Sequence, residues 1–133
     1  MRVMFDTNIL ISAGLFGSSR LAALAGRIAD EHTLVLSSRI IEELHRVVNL
    51  KFPSRKGVLE DFLCSLSYEI AYTPDLIDSS RYPKIRDEHD YPILASAIIA
   101  DVDVFITGDK DFDNLGLEHP EILTMTAFSE KYL

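Results

Sequence analysis

The chain has no tryptophan and a single cysteine, Cys64, among its 133 residues. One cysteine excludes an intrachain disulfide, and a reducing, cytoplasmic setting is the expectation. Cys64 reads as part of an apolar helix face, where plain core packing is expected. The four histidines, His32, His45, His89 and His119, are scattered without the paired spacing of zinc ligands. Only His89 adjoins a candidate site residue, Asp90. There is no Gly-x-Gly-x-x-Gly, no Gly-x-Ser-x-Gly and no phosphate loop, so three common catalytic and nucleotide-binding devices drop out. No apolar run approaches the roughly 18–20 residues that span a bilayer. The N-terminus enters a strand without a signal-peptide pattern, and no membrane partner is expected.

Positive charge is also scarce. The formal net charge is −8, and it is unevenly spread. Residues 1–56 hold 8 Lys/Arg against 5 Asp/Glu, whereas residues 57–133 hold 5 against 16. A chain this acidic does not hold nucleic acid through bulk charge. Such binding needs a local basic strip, divalent metal or a cationic partner. Arg39, Arg46, Lys51, Arg55 and Lys56 form a candidate strip; the alternative is ordinary surface charge.

The 47% hydrophobic content suffices for a core, and no linker or low-complexity stretch divides the chain, so residues 1–133 read as one domain. Strand-like and helix-like segments alternate. Strands are expected at Arg2–Phe5, Thr33–Leu36, Glu69–Tyr72, Val104–Thr107 and Ile122–Met125. Helices are expected from Ser18 or Ser19 to about Asp30, and from Ser37 or Ser38 to about Leu50, where Pro53 ends the second. Further helices cover about Lys56–Leu66 and Tyr91–Ala100, and a last one starts near Thr126. Residues 73–88, rich in Pro, Asp and Ser, read as a surface loop. Continuous apolar strands alternating with helices indicate a parallel sheet covered on both faces. Ligands in such folds sit beyond the carboxyl ends of the strands, where strand order reverses.

Carboxylates stand at those ends. Asp6 closes the first strand, Asp109 follows Val104–Gly108, Asp90 opens a helix and Glu43 borders the apolar face of another. Together they would repel unless a divalent cation holds them. At 100° per residue, Glu43 lies about 40° beyond the apolar stripe of Ile40, Ile41, Leu44, Val47 and Val48, while Glu42 points nearly opposite its centre. Glu42 therefore reads as solvated. Glu43 is either a site residue or a boundary residue paired with Arg39 or Arg46. Asp90 fits a helix N-cap, a role compatible with facing a metal; Asp87 and Glu88 compete with it less directly. Asp111 can approach the same cation as Asp109, and Gly108 permits the tight turn between strand and cluster. Asp113 reads as a turn residue. Thr7 and Asn8 either bind phosphate oxygens or shape a turn. All-oxygen ligation suits Mg²⁺ or Mn²⁺.

The segments MRVMFDTNILISA, LSSRIIEELHRVV, RDEHDYPILASAIIADVDVFITGDKDF and ILTMTAFSEKYL together resemble the PIN-domain ribonucleases, many of them toxins of prokaryotic toxin–antitoxin pairs. The resemblance covers essentially the whole chain in order. It implies a three-layer α/β fold whose five-stranded parallel sheet has the order 3-2-1-4-5. It implies that Asp6, Glu43, Asp90 and Asp109 form the catalytic and metal-binding set, with Asp111 a variable extra acid and one or two Mg²⁺ or Mn²⁺ ions. Thr107 matches the small hydroxyl residue before the last acidic cluster, and Thr126 departs from a proline common in close relatives. Substrate contacts are expected from Thr7, Asn8, Thr107, Arg39 and Arg46. The implied reaction is hydrolysis of RNA to 5′-phosphate and 3′-hydroxyl ends. RNA and a cognate antitoxin protein are the expected partners, with a homodimer left open. Residues 73–88 match no family motif, and substrate choice can depend on such loops. Three alternatives stand: an RNA-maturation nuclease without an antitoxin, a non-catalytic metal- or RNA-binding module, and a doubly wound phosphatase. The last usually needs an aspartate where this chain has Asn8.

Overall fold

The computed structural model describes residues 1–16 and 19–133. Its centre is β1 (Arg2–Phe5), flanked by β2 (Thr33–Ser37) and β4 (Val104–Ile106), with β3 (Glu69–Ala71) and β5 (Glu121–Leu123) at the edges. All four pairings are parallel, in the order β3-β2-β1-β4-β5. Val3 lies opposite Leu34 on one side and Val104 on the other, and Phe5 pairs with Ile106. Val3, Met4 and Phe5 are all sealed from solvent. Successive strand residues face opposite sides, so both faces of the sheet are covered. Each such side chain contributes roughly 1.5–3 kcal/mol by burial, which lets the central strands carry costly carboxylates at their ends.

The connections are α1 (Thr7–Gly14) and α2 (Ser19–Glu31) between β1 and β2, then α3 (Ser38–Lys51) and α4 (Lys56–Ser65) before β3. α5 (Tyr91–Ile99) precedes β4, and α6 (Met125–Tyr132) ends the fold. Ser37 caps α3, its hydroxyl accepting from Ile40 N–H at 3.0 Å. Ser18 lies outside the described residues, and Ser19 is the first residue of α2.

One element goes beyond the sequence reading and one expectation is corrected. The sequence predicts no element over residues 7–14, with Thr7 and Asn8 read either as phosphate-binding or as turn residues. Asp6 in fact holds an extended backbone (φ −73°, ψ 160°) and caps a helix whose Leu10 and Ala13 enter the core. Cys64 is exposed. The apolar face of α4 is set by Leu59 and Leu63, both buried. Cys64 falls about 140° from Leu59 at 100° per residue, which is the solvent side.

Strand order reverses between β1 and β4, both of which leave the sheet from neighbouring positions. Their carboxyl ends therefore flank one crevice.

Candidate functional site

Asp6 sits at the end of β1 and is only 5% exposed. Both its oxygens are engaged. Oδ1 accepts the Thr7 N–H at 2.8 Å, and Oδ2 accepts the Thr107 hydroxyl at 2.7 Å. The Thr107 hydroxyl in turn accepts the Asp109 N–H at 3.0 Å. One buried threonine thus links the carboxylate after β1 to the turn after β4. Asp109 Oδ1 accepts the Asp111 N–H at 2.9 Å and caps the short 3₁₀ turn Lys110–Phe112. On the other side the Thr7 hydroxyl donates to Glu43 Oε2 at 3.0 Å. Glu43 is half-buried and Glu42 exposed, as the helical phase of α3 requires.

Thr7 and Thr107 are both 4% exposed. Their hydroxyls are committed to carboxylates of the cluster, which is a different use from the substrate contact expected of them. Asn8 is exposed and faces solvent beside them. Arg39 and Arg46 line one small recess with Glu42 and Glu43. Arg55, from the same expected strip, donates to the Leu15 carbonyl at 2.7 Å and stands 5.7 Å over the Phe16 ring. It pins the end of α1 and is not a free guide for a polyanion.

Asp90 stands at the cap position of α5, but its side chain makes no cap bond. The residue has near-helical angles (φ −83°, ψ −16°) because the 3₁₀ turn Glu88–Asp90 runs straight into the helix. A capping side chain needs an extended backbone. Asp87 meets that requirement instead and accepts the His89 N–H at 3.0 Å. Asp90 Oδ2 is buried and has no hydrogen-bond partner among the described residues.

Asp87, Asp90 and Asp111 each bring one carboxylate oxygen within 4.8 Å of the others. Asp87 was set aside in the sequence as a weaker competitor of Asp90. The missed signal was spacing: residues three apart eclipse on a 3₁₀ turn, so Asp87 and Asp90 share a side.

The electrostatics follow from this crowding. Burial pushes the Asp90 carboxyl up to about 7, helped by the charges of Asp109, Asp87, Asp111 and Asp6. Asp6 is also raised, first by burial, although the Thr107 and Thr7 hydrogen bonds oppose the shift and Glu43 and Asp109 add to it. A buried acceptor without a donor is costly and calls for a partner. The donors here are all carboxylate oxygens, at one crevice, with one of them orphaned. That set fits a hard divalent cation.

Doubly wound α/β proteins with acids gathered at the strand-order reversal are a class that binds ligand in this crevice. Within that class, the PIN-domain family pattern matches residues 2–111, and the chain belongs to this family. The fold is shared with a chain of VapBC2 from Rickettsia felis, solved bound to a DNA fragment from their promoter. The two superpose with a TM-score of 0.70 at 21% identity, over 92% of this chain and 97% of that one. No curated protein matches the chain in sequence. Among the described residues no helix is long and apolar enough to cross a membrane.

Proposed function

We propose that this PIN-domain protein is a divalent-cation-dependent endoribonuclease and the toxin of a toxin–antitoxin pair, acting in the cytoplasm through a single domain, residues 1–133. The observation that carries the catalytic part is the orphaned, buried Asp90 Oδ2 among carboxylates that repel one another. Asp6, Asp90, Asp109 and Glu43 would hold one or two Mg²⁺ or Mn²⁺ ions, with Asp111 and Asp87 at the margin. When bound, such an ion supplies activation of water and neutralises charge developing on the phosphoryl oxygens.

The chain's own residues do the rest. Thr107 holds Asp6 and the Asp109 backbone in one frame, and Thr7 holds Glu43. Three acids, Asp6, Asp109 and Glu43, are thereby oriented before any substrate arrives, which spares reorganisation during the reaction. Asn8, exposed at the start of α1, can donate its amide to a phosphate oxygen. Arg39 and Arg46, beside Glu43, offer charge to the strand as it approaches. The antitoxin partner is supported by family membership and by the fold shared with VapBC2.

RNA cleavage with mapped ends tests the reading, using wild type and Asp6→Asn in Mg²⁺, Mn²⁺ and EDTA. Cation-dependent cuts leaving 5′-phosphate and 3′-hydroxyl ends are expected from wild type alone. Cleavage that persists in EDTA, or that Asp6→Asn retains, would overturn it. Co-purification with the product of an adjacent gene tests the antitoxin.

A further inference from the structure

Three of the five Lys/Arg residues in the acidic stretch 57–133 fall within six positions: Arg81, Lys84 and Arg86. No acid interrupts them. They belong to the loop that matches no family motif, and they lead directly into Asp87 and Asp90. The fold anchors this segment at one point. Ile85 is buried, and its N–H donates to the Tyr91 hydroxyl at 3.2 Å, which lays the loop against the start of α5. Lys84 and Arg86, on either side of that anchor, remain exposed.

Two concavities meet at Arg86. One, of about 460 Å³, is lined by Arg86, Asp87, Glu88, His89 and Asp111 and so borders the acidic cluster. The other, of about 470 Å³, is lined by the apolar Ile77, Ile85, Tyr91 and Pro92 together with Lys84 and Arg86. Both share Glu88 as well. Each falls in the size range of small-ligand pockets, roughly 300–1,000 Å³. Arg86 is 88% exposed, and its Nε stands 3.5 Å from Asp111 Oδ1. An exposed pair at that distance is weak and exchanges readily for a phosphate.

An apolar wall with an aromatic ring accepts the face of a base, and cations at its side accept the phosphate. Any strand that presents a phosphodiester to the acids must cross adjoining surface. In this acidic half the adjoining surface richest in cations is 81–86, where Arg81 and Arg86 meet acids only in loose, exposed pairs with Asp78 (3.9 Å) and Asp111 (3.5 Å). We infer that this loop and its cavity form a nucleotide subsite for the RNA strand: the base lies on the Ile77, Ile85, Tyr91 and Pro92 wall, and the backbone phosphate lies between Lys84 and Arg86. The inference rests on reading the acidic cluster as a ribonuclease centre and names where that centre selects its substrate.

The test measures affinity for a labelled single-stranded oligoribonucleotide across salt concentrations in Mg²⁺, in an Asp6→Asn background, with thermal melts confirming folding. Cleavage by the corresponding variants of wild type is measured in parallel. Lys84→Gln with Arg86→Gln should weaken binding about tenfold and lower the log–log salt slope by about 0.7 per cation. Ile77→Ser should weaken binding with the slope unchanged. Arg27→Gln, which removes a cation paired with Glu31 on α2, should change neither. Equal affinity and slope in the double variant and its parent would overturn the subsite, even if wild type cleaves RNA. Loss of binding in the double variant while wild type cleaves no RNA would instead sink the ribonuclease reading and keep the subsite. A double variant that keeps its RNA affinity and loses only a protein partner also overturns it.

Discussion

Glu42 and Glu43 are neighbours in sequence, yet 100° of helix separates a solvated carboxylate from one held by the Thr7 hydroxyl. Glu43→Gln keeps the shape and removes the charge. In the proposed reaction it should lower the rate of RNA cleavage by on the order of 10²-fold, about 2.7 kcal/mol of barrier. Glu42→Gln should leave the rate within about twofold, on the order of 0.4 kcal/mol; steady-state cleavage assays on both variants decide, and the reverse ranking would remove Glu43 from the centre. Asp90 makes a second prediction. Its carboxyl lies near 7 in the fold against an ordinary value of 3.8. The folded state therefore binds its proton more tightly than the unfolded state does. Stability of the metal-free protein from this group is greatest below about pH 4 and is lost as pH rises towards about 7. Urea midpoints in EDTA at pH 5 and pH 7.5 should show a clear fall for wild type and a smaller one for Asp90→Asn. An equal fall in both would assign the pH dependence elsewhere.

Elements in this fold were legible where apolar residues repeat and opaque where caps and contacts decide. Ile40, Leu44 and Val48 on α3 recur at helical spacing and are buried, so that helix and its phase could be read. α1 could not, because in TNILISAG the exposed polar side is only Asn8 and Ser12, a single helical step too short to mark a period. What fixes it is the Asp6 cap and the packing of α1 against α4. Gly14 has no room for a side chain in that packing: an added Cβ would lie 2.5 Å from Phe62 Cδ2. Gly14→Ala should therefore cost about 1–3 kcal/mol through overpacking. Gly26, inside α2, has nothing within 4 Å of a Cβ, and Gly26→Ala should add roughly 0.5–1 kcal/mol through backbone entropy. Chemical denaturation of the two variants measures both, and a destabilised Gly26→Ala would contradict the open surroundings of that position. The cap assigned to Asp90 failed for a related reason. The 3₁₀ turn before α5 moved the capping role to Asp87, and a turn of that kind is set by the chain on both sides of it.

The whole molecule couples its charge to its stability through one crevice. Acids drawn from four separated stretches meet there, and a cation that binds only the folded state stabilises it by mass action. At 100 times its dissociation constant the gain is about 2.7 kcal/mol. Millimolar Mn²⁺ should raise the melting temperature of wild type clearly and of Asp109→Asn much less, as differential scanning fluorimetry would show. Equal shifts would mean that the cation binds outside the cluster. The sequence by itself determined the parallel α/β class, because continuous apolar strands alternating with helices can bury both faces of a sheet in few other ways. It also determined the candidate acids Asp6, Glu43, Asp90 and Asp109, because carboxylates at the ends of apolar runs are costly without a role. Only the tertiary structure decided that Thr107 joins Asp6 to Asp109, that Thr7 holds Glu43, that Asp87 faces Asp90 and Asp111, and that Arg86 stands beside Asp111. Hydrogen bonds between residues as much as 101 positions apart, like that of Thr107 to Asp6, have no local signature in the chain; they exist because parallel pairing of β1 with β4 brings two strand ends to the same edge.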